Sequence, residues 1–396
     1  MKDLFIGFFI FLCHYNSYSQ EVEKLSLNFD CVSNSAIDLQ FNLIAKRGTI
    51  NRVHESNARI NIKNFTLTLN GDTLTVKSCH TRGKSTLKFP RKSLLLNFKG
   101  AHKFNDRKVS KCALNSMSMD KNYWRNRFSY LVLEEVGIFP LYNGYAEFQI
   151  NGISQGVYLL IEKPDSYAKK NLKSPALIRR DYNGKFEIDY VEDDYDYLPG
   201  QLRETRKKLK ELEGEALYEY LMRTVNLEQY FQWLAVNYIL QNGDYTDEVF
   251  FYYDSSTNKF NLIPWDYDDV FSQMPHEGWD ERNRRIQNPL VYSGEDDFDY
   301  RIDKDDFLYL KYLDEFGKTL DHFSLNFIKK TFDQVYVELC PFYQDDEIIS
   351  QSQYDLAGLT NMDKLKSDMT KHYIRLLNRC TSLRDIVQTE KARFQQ

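Results

Sequence analysis

The sequence predicts an α+β fold: an antiparallel sheet of hairpins with packed helices and a helical C-terminal part. Three observations predict it. Asn-Gly pairs punctuate alternating apolar runs at Asn70-Gly71, Asn151-Gly152 and Asn183-Gly184, and Asn-Gly between such runs is the strongest short-range hairpin signal. Runs with apolar residues at helical spacing fill the gaps between these hairpins. From Asp305 to about Val387 the pattern is helical throughout. Hairpins together with packed helices give α+β.

The N-terminus comes first. Leu4 to Leu12 is almost wholly apolar and follows Lys2. Such a run is too short to span a bilayer and suits the core of a signal peptide. Ser17-Tyr18-Ser19 places small residues where a signal peptidase reads, so cleavage before Gln20 is expected. The mature chain is expected to carry no transmembrane span and to be secreted or held in the cell envelope. From about Leu25 to Leu69 the pattern alternates, with Ile60, Ile62 and Phe65 to Leu69 leading into Asn70-Gly71 and then Leu74 and Val76. A helix is expected over Trp124–Val136, a second hairpin over Ala146–Ile161, and a third over Ala176–Ile188. Helices follow over Gln201–Glu213, Ala216–Met222 and Leu227–Leu240. The basic stretch Arg203 to Lys210 is flanked by acids and reads as a solvated helix face. Gly294-Glu295-Asp296-Asp297 reads as an acidic surface loop. The expected organisation is therefore residues 1–19 signal peptide, 20–80 a β-rich region, 81–275 the core, and 276–396 an acidic loop and helical part of the same domain.

Composition narrows the function. The chain has 396 residues with 42% hydrophobic, 28% charged and a net charge of −5, which is globular and gives nucleic acid no basic block to bind. Six cysteines without a Cys-x-x-Cys offer no zinc site. Cys31 with Cys79 and Cys340 with Cys380 are pairings the sequence leaves open beside buried thiols. No His-x-x-x-His, Gly-x-Ser-x-Gly, Gly-x-Gly-x-x-Gly or P-loop occurs, which disfavours zinc and serine hydrolases and the ordinary protein-kinase and P-loop folds.

The richest stretch is Val249 to Asp269. Val249-Phe250-Phe251-Tyr252-Tyr253-Asp254 and Asn258 to Ile263 flank the polar turn Ser255 to Asn258, so they read as a hairpin. Pro264 closes the second strand, since proline cannot donate to a ladder. Asp266, Asp268 and Asp269 then crowd four positions. Carboxylates at the end of a rigid hairpin can hold a hard cation such as Mg²⁺; in isolation an Asp-x-Asp is more often a solvated loop, but Trp265 and Phe271 bracket this one. The preceding helix, dense in Tyr230, Phe231, Trp233 and Leu234, is expected to stop at Gln241-Asn242-Gly243-Asp244. One turn and one hairpin separate Asp244 from Asp266, so both acids can reach the same end of a sheet. A glycosidase with Asp244 and Asp266 as its carboxylate pair also fits those acids, but leaves the early basic block unexplained.

The run Asn242-Gly243-Asp244, the aromatic hairpin and Ile263-Pro264-Trp265-Asp266-Tyr267-Asp268 resembles the signature of the CotH-type kinases. Three further blocks agree in order over about residues 80 to 275. These are Arg82-Gly83-Lys84-Ser85 with Phe89-Pro90-Arg91-Lys92-Ser93, then Asp120 with Trp124-Arg125-Asn126-Arg127, then Asn151-Gly152, Gln155-Gly156-Val157-Tyr158 and Glu162-Lys163. The resemblance implies an atypical Mg²⁺-dependent kinase moving the γ-phosphate of ATP to Ser or Thr of a protein. It makes Asp266 and Asp268 metal ligands and Asp244 the base for the acceptor hydroxyl; Asp269 is expected to turn away, since adjacent residues point apart in extended chain. Asn242 would assist at the metal or phosphate. Arg82 and Lys92, with Arg91 the alternative, would contact phosphate, and Glu162 or Lys163 would pair with a phosphate-binding side chain. Arg125-Asn126 is expected to anchor its helix. The rival reading is a surface binding or adhesion protein on the same fold, drawn from the export signal and from 28 Tyr and 27 Phe.

Overall fold

The computed structural model describes residues 23–29, 61–62, 65–83, 85–104, 107–139, 141–181 and 185–394. The expected signal peptide, Cys31 and the turn Asn183-Gly184 lie outside them. The α+β expectation holds. The chain packs into two units assembled from interleaved segments.

The first unit gathers the described residues of Met1–Arg127, Tyr142–Glu162 and Lys329–Thr370. Its centre is a nine-stranded sheet. In chain order the strands are β1 (Lys24–Phe29), β2 (Asn61–Ile62), β3 (Phe65–Leu69), β4 (Asp72–Leu74), β5 (Val76–Arg82), β6 (Ser93–Phe104), β7 (Arg107–Asn115), β8 (Asn143–Ile150) and β9 (Ile153–Glu162). Across the sheet they run β2-β5-β6-β7-β9-β8-β1-β3-β4. All neighbours are antiparallel except β1 and β8. Alternation produces one apolar face: Leu25, Leu27, Leu67, Leu94, Leu96, Leu114, Phe148 and Leu160 form a continuous core on it. Both Asn-Gly turns take the left-handed backbone at each central residue, with Asn70 at φ 51° and Gly71 at 90°, and Asn151 at 49° and Gly152 at 77°. That is the hairpin geometry whose twist matches its strands.

Gly156 sits at φ +90°, and a Cβ there would meet Gln351 Cβ at 2.8 Å and the Ile348 carbonyl at 3.2 Å. Glycine lets β9 run against the short helix Asp346–Ser350. Asp120 does the work of a cap. Its carboxylate accepts the backbone N–H groups of Arg125 (3.2 Å) and Asn126 (2.9 Å) at the start of the helix Arg125–Glu135. Burial nevertheless pushes the Asp120 carboxyl up to about 7, against the pull of those amides and of Arg125.

Because the folded value lies above the unfolded one, Asp120 favours the native state at acid pH and gives up that contribution as pH rises toward 7. Asp120→Asn keeps an acceptor for the amides and removes the titration. Thermal denaturation of both proteins from pH 4 to 8 should show wild type losing on the order of a few kcal/mol relative to the variant up to pH 7. A constant difference across that range would refute the assignment.

The second unit gathers Phe128–Leu141, Lys163–Ile328 and the described residues of Lys371–Gln396. Its sheet is β10 (Ala176–Arg180), β11 (Phe186–Val191), β12 (Val249–Asp254) and β13 (Lys259–Pro264), in the order β11-β10-β12-β13 and antiparallel throughout. The helix Leu227–Leu240 packs against β13 and against the helix Asp306–His322. Its apolar residues leave it buried on most sides, as the spacing predicted, and Asn226 caps it by accepting the Gln229 N–H.

The helix Leu227–Leu240 stops at the expected stretch, through Gln241, left-handed at φ 53°. The expectation of an acidic surface loop is corrected here. Gly294 to Asp297 is no surface loop. Asp296 is 3% exposed, accepts the Phe298 N–H as cap of the helix Asp297–Lys304, and pairs with Arg180 (3.3 Å) and Arg206 (3.3 Å). The acids there neutralise arginines, one of them from the supposedly solvated face of the helix Leu198–Glu211. Cys340 and Cys380 are free thiols, as are Cys79 and Cys112. Among the described residues no helix is long and apolar enough to cross a membrane.

Candidate active site

The hairpin β12–β13 builds one wall of the site in the second unit. Its ladder pairs Val249 with Pro264 at the open end, and the Trp265 N–H donates to the Glu248 carbonyl at 2.9 Å, one step beyond. The chain then turns sharply: Asp266 holds a left-handed backbone at φ 48°. Aspartate tolerates that region better than most residues, yet it remains strained by about 1 kcal/mol or more. Tyr267 is buried and its hydroxyl accepts the Trp233 indole N–H at 3.1 Å, while Asp266 and Asp268 on either side are half-buried.

The end of the helix Leu227–Leu240 supplies the second wall. Phe271 N–H donates to the Leu240 carbonyl (2.8 Å), Ser272 N–H to Gln241 (3.0 Å) and Gly243 N–H to Asp269 (3.1 Å). Arg375 adds its guanidinium to the Phe271 carbonyl at 3.2 Å and to the Gln241 side chain. A Cβ on Gly243 would fall 2.1 Å from Asp269 Oδ2 and 2.9 Å from Ser272 Oγ. Gly243 is thus required for close approach of the two walls, and Asp269, expected to turn away, lies against it. Asn242 is buried: its amide donates to Asn237 Oδ1 (3.1 Å), and its carbonyl oxygen accepts the Asp244 N–H (3.4 Å).

Asp244 stands open to solvent at the turn. Partial desolvation, then Asp247, Asp266 and Glu295, hold its carboxyl above the ordinary carboxylate range, and His276 pulls the other way. That His276 ring is hydrogen-bonded to Glu295 Oε1 at 3.0 Å, which raises its own value. Glu248 is driven well above its usual value by burial and then by Asp266. Its Oε1 accepts from Arg179 at 3.1 Å, and its other carboxylate oxygen is buried without a hydrogen-bond partner. A carboxylate made more basic by such surroundings is a better proton acceptor near neutral pH.

The predicted residues divide between the units. Asp244, Asp266, Asp268, Asn242 and Lys163 belong to the second. Lys163 lies with its ammonium 4.2 Å from the Trp265 ring centre, a cation–π contact. Arg82, Lys92 and Glu162 belong to the first. Arg82 ends β5 and pairs in register with Ser93. Lys92 is 2% exposed and donates to the carbonyls of Leu87 (2.6 Å) and Phe89 within its own loop. Arg91 is fully engaged with Asp355, Tyr123 and the carbonyls of Gln155 and Val157. Glu162 is buried at the end of β9.

Sequence reasoning passed over Arg179, Asp247, Glu248, His276 and Glu295. Asp247-Glu248 directly before the first strand was a visible signal. The partnership with Arg179 on β10 was not, because it depends on which strand lies beside β12.

A family model described as CotH kinase protein matches residues 79–375. The inner spore coat protein H of Bacillus subtilis (strain 168) is 25% identical over 218 residues, covering 49% of this chain and 59% of that protein. The chain thus spans less than two thirds of that relative's length. Among solved structures, a chain of the HipA–HipB toxin–antitoxin complex with operator DNA from Shewanella oneidensis MR-1 is 11% identical. It aligns at a TM-score of 0.34 over 76% of this chain and 66% of that one. The proinflammatory kinase CtkA of Helicobacter pylori is 8% identical, at a TM-score of 0.33, over 71% of this chain and 94% of its own.

Proposed function

The chain belongs to the CotH kinase protein family, and from that premise we propose that it is an exported Mg²⁺-dependent kinase. It moves the γ-phosphate of ATP to a Ser or Thr hydroxyl of a protein substrate. What supports this reading is that the Gly243–Asp269 and Trp265–Glu248 backbone bonds tie the turn bearing Asp244 to the loop bearing Asp266.

The donor set fits magnesium. Among the described residues no group of three or more His, Cys, Asp or Glu is placed to hold a metal unaided. Mg²⁺ asks for less, since it is commonly held by one or two carboxylates and completed by water and phosphate oxygens. Asp266 and Asp268, both half-buried, are the pair that would hold it, and the ion would neutralise phosphate charge there. Asp244 takes the proton of the acceptor hydroxyl as its oxygen bonds to the γ-phosphorus and the bond to ADP breaks. Its elevated basicity suits that task. Asn242 shapes the turn. Arg82, Lys92, Glu162 and Lys163 remain proposed nucleotide contacts, and the nucleotide affinity of their alanine variants reads the contribution of each.

Calorimetric titration of ATP into the full chain, with and without Mg²⁺, tests the reading. Saturable binding that requires Mg²⁺ is the expected result. A folded protein that takes up no nucleotide at millimolar concentration would favour the adhesion reading instead.

A further inference from the structure

Two consecutive arginines on β10 reach the stretch that follows Asp244 from opposite sides. Strand alternation sends their side chains to different faces of the sheet. Arg179 Nε donates to the Asp247 carbonyl at 3.2 Å and its Nη2 to the Glu248 carboxylate at 3.1 Å. Arg180, 2% exposed, donates from Nε to the Thr246 carbonyl. The Tyr245 hydroxyl donates to Asp299 Oδ2 at 3.0 Å, and Thr246 Oγ1 to Glu295 Oε2 at 3.1 Å. Arg180 Nη1 closes the arrangement on Asp296 (3.3 Å), Asp299 (3.7 Å) and the Tyr230 hydroxyl (2.8 Å). Each residue from Tyr245 to Glu248 is therefore fixed by a group outside the turn, although Asp244 itself stays open to solvent.

A turn that merely joined a helix to a strand could lie at the surface with its polar groups on water, whereas this one is buried at Tyr245 and Thr246 and tied from two sides while Asp244 is left exposed. We propose that Arg180, Tyr245 and Asp299 are positioning residues for Asp244. They touch no reacting atom. They fix the backbone from which the Asp244 carboxylate projects, so that it meets the acceptor hydroxyl without a search; misplacing such a group by about 1 Å can cost on the order of a hundredfold in rate. The inference rests on the role proposed above for Asp244.

Tyr245→Phe is the mildest test, since it deletes one hydroxyl and leaves the ring packed 5.3 Å from Trp233. We expect kcat to fall about tenfold or more while KM for both substrates stays within about twofold. Hydrogen exchange of the nucleotide-free protein should show the amides of Asp244 to Glu248 opening about tenfold faster. Tyr312→Phe is the reference: it removes a buried hydroxyl bond of equal length, to the Leu290 carbonyl at 3.0 Å, and should leave both kcat and exchange at the turn unchanged. Asp299→Asn, which keeps an acceptor for Tyr245, should retain more activity than Asp299→Ala. Unchanged kcat or unchanged exchange in Tyr245→Phe overturns the inference while leaving Asp244 as the base. Near-normal kcat in Asp244→Asn overturns the base itself and the positioning role with it.

Discussion

Asp266→Asn reduces phosphate transfer by on the order of a thousandfold or more and weakens Mg²⁺-dependent nucleotide binding alongside. The substitution is unusually clean. Asp266 sits at φ 48°, and asparagine occupies the left-handed region as readily as aspartate, so the loop keeps its shape while the ligand loses its charge. Asp244→Asn behaves differently: it removes a proton acceptor, and the Asp244 backbone N–H still donates to Asn242. Transfer should fall by about 10²–10⁴-fold while nucleotide binding persists. Initial-rate measurements paired with calorimetry on both variants separate the two roles. If Asp244→Asn abolishes binding as completely as Asp266→Asn, both are metal ligands and the division of labour is wrong. If Asp266→Asn retains near-normal turnover, the metal site lies elsewhere.

What could be read from the chain beforehand was local. Asn70-Gly71 and Asn151-Gly152 fix their hairpins through the backbone preferences of two residues, so no tertiary knowledge was needed. The helix Leu227–Leu240 and the hairpin β12–β13 were legible for the same reason: periodicity and a terminal proline decide them. Asp244 and Asp266 were legible as neighbours because only one hairpin separates them. The errors share a different cause. Gly294 to Asp297 looked solvated because polar residues in a row usually are, and nothing nearby in sequence announces that Arg180 and Arg206 are their counter-ions. The need for Gly243 was hidden for the same reason: its missing Cβ makes room for Asp269 and Ser272, which lie beyond the hairpin. Counter-ions and close approaches are set by the partner, and the partner is distant in the chain.

Removing one counter-ion should show how much rests on such a partnership. Arg180→Ala is expected to destabilise the protein by about 3–5 kcal/mol, near the upper range for a single substitution. The guanidinium is buried, pairs with Asp296 and Asp299, and donates to the Thr246 carbonyl and the Tyr230 hydroxyl. Without it two carboxylates with 3% and 0% exposure remain beside each other. The Asp299 carboxyl already titrates above its ordinary range, because burial outweighs the downward pull of Arg180; losing Arg180 moves it higher. A folded value raised further above the unfolded one means stability lost over a wider span as pH rises. Below the wild-type titration of Asp299 the two proteins lose stability in parallel, and above it the variant alone continues to fall. Urea denaturation at pH 5 and pH 8 should therefore give a larger gap at pH 8. Adding Asp299→Asn to Arg180→Ala removes one of the stranded charges, and should recover part of the loss and flatten the pH dependence. A gap that is the same at both pH values would mean that Arg180 contributes through packing on Trp233, whose ring lies 5.0 Å away, and not by neutralising the acids.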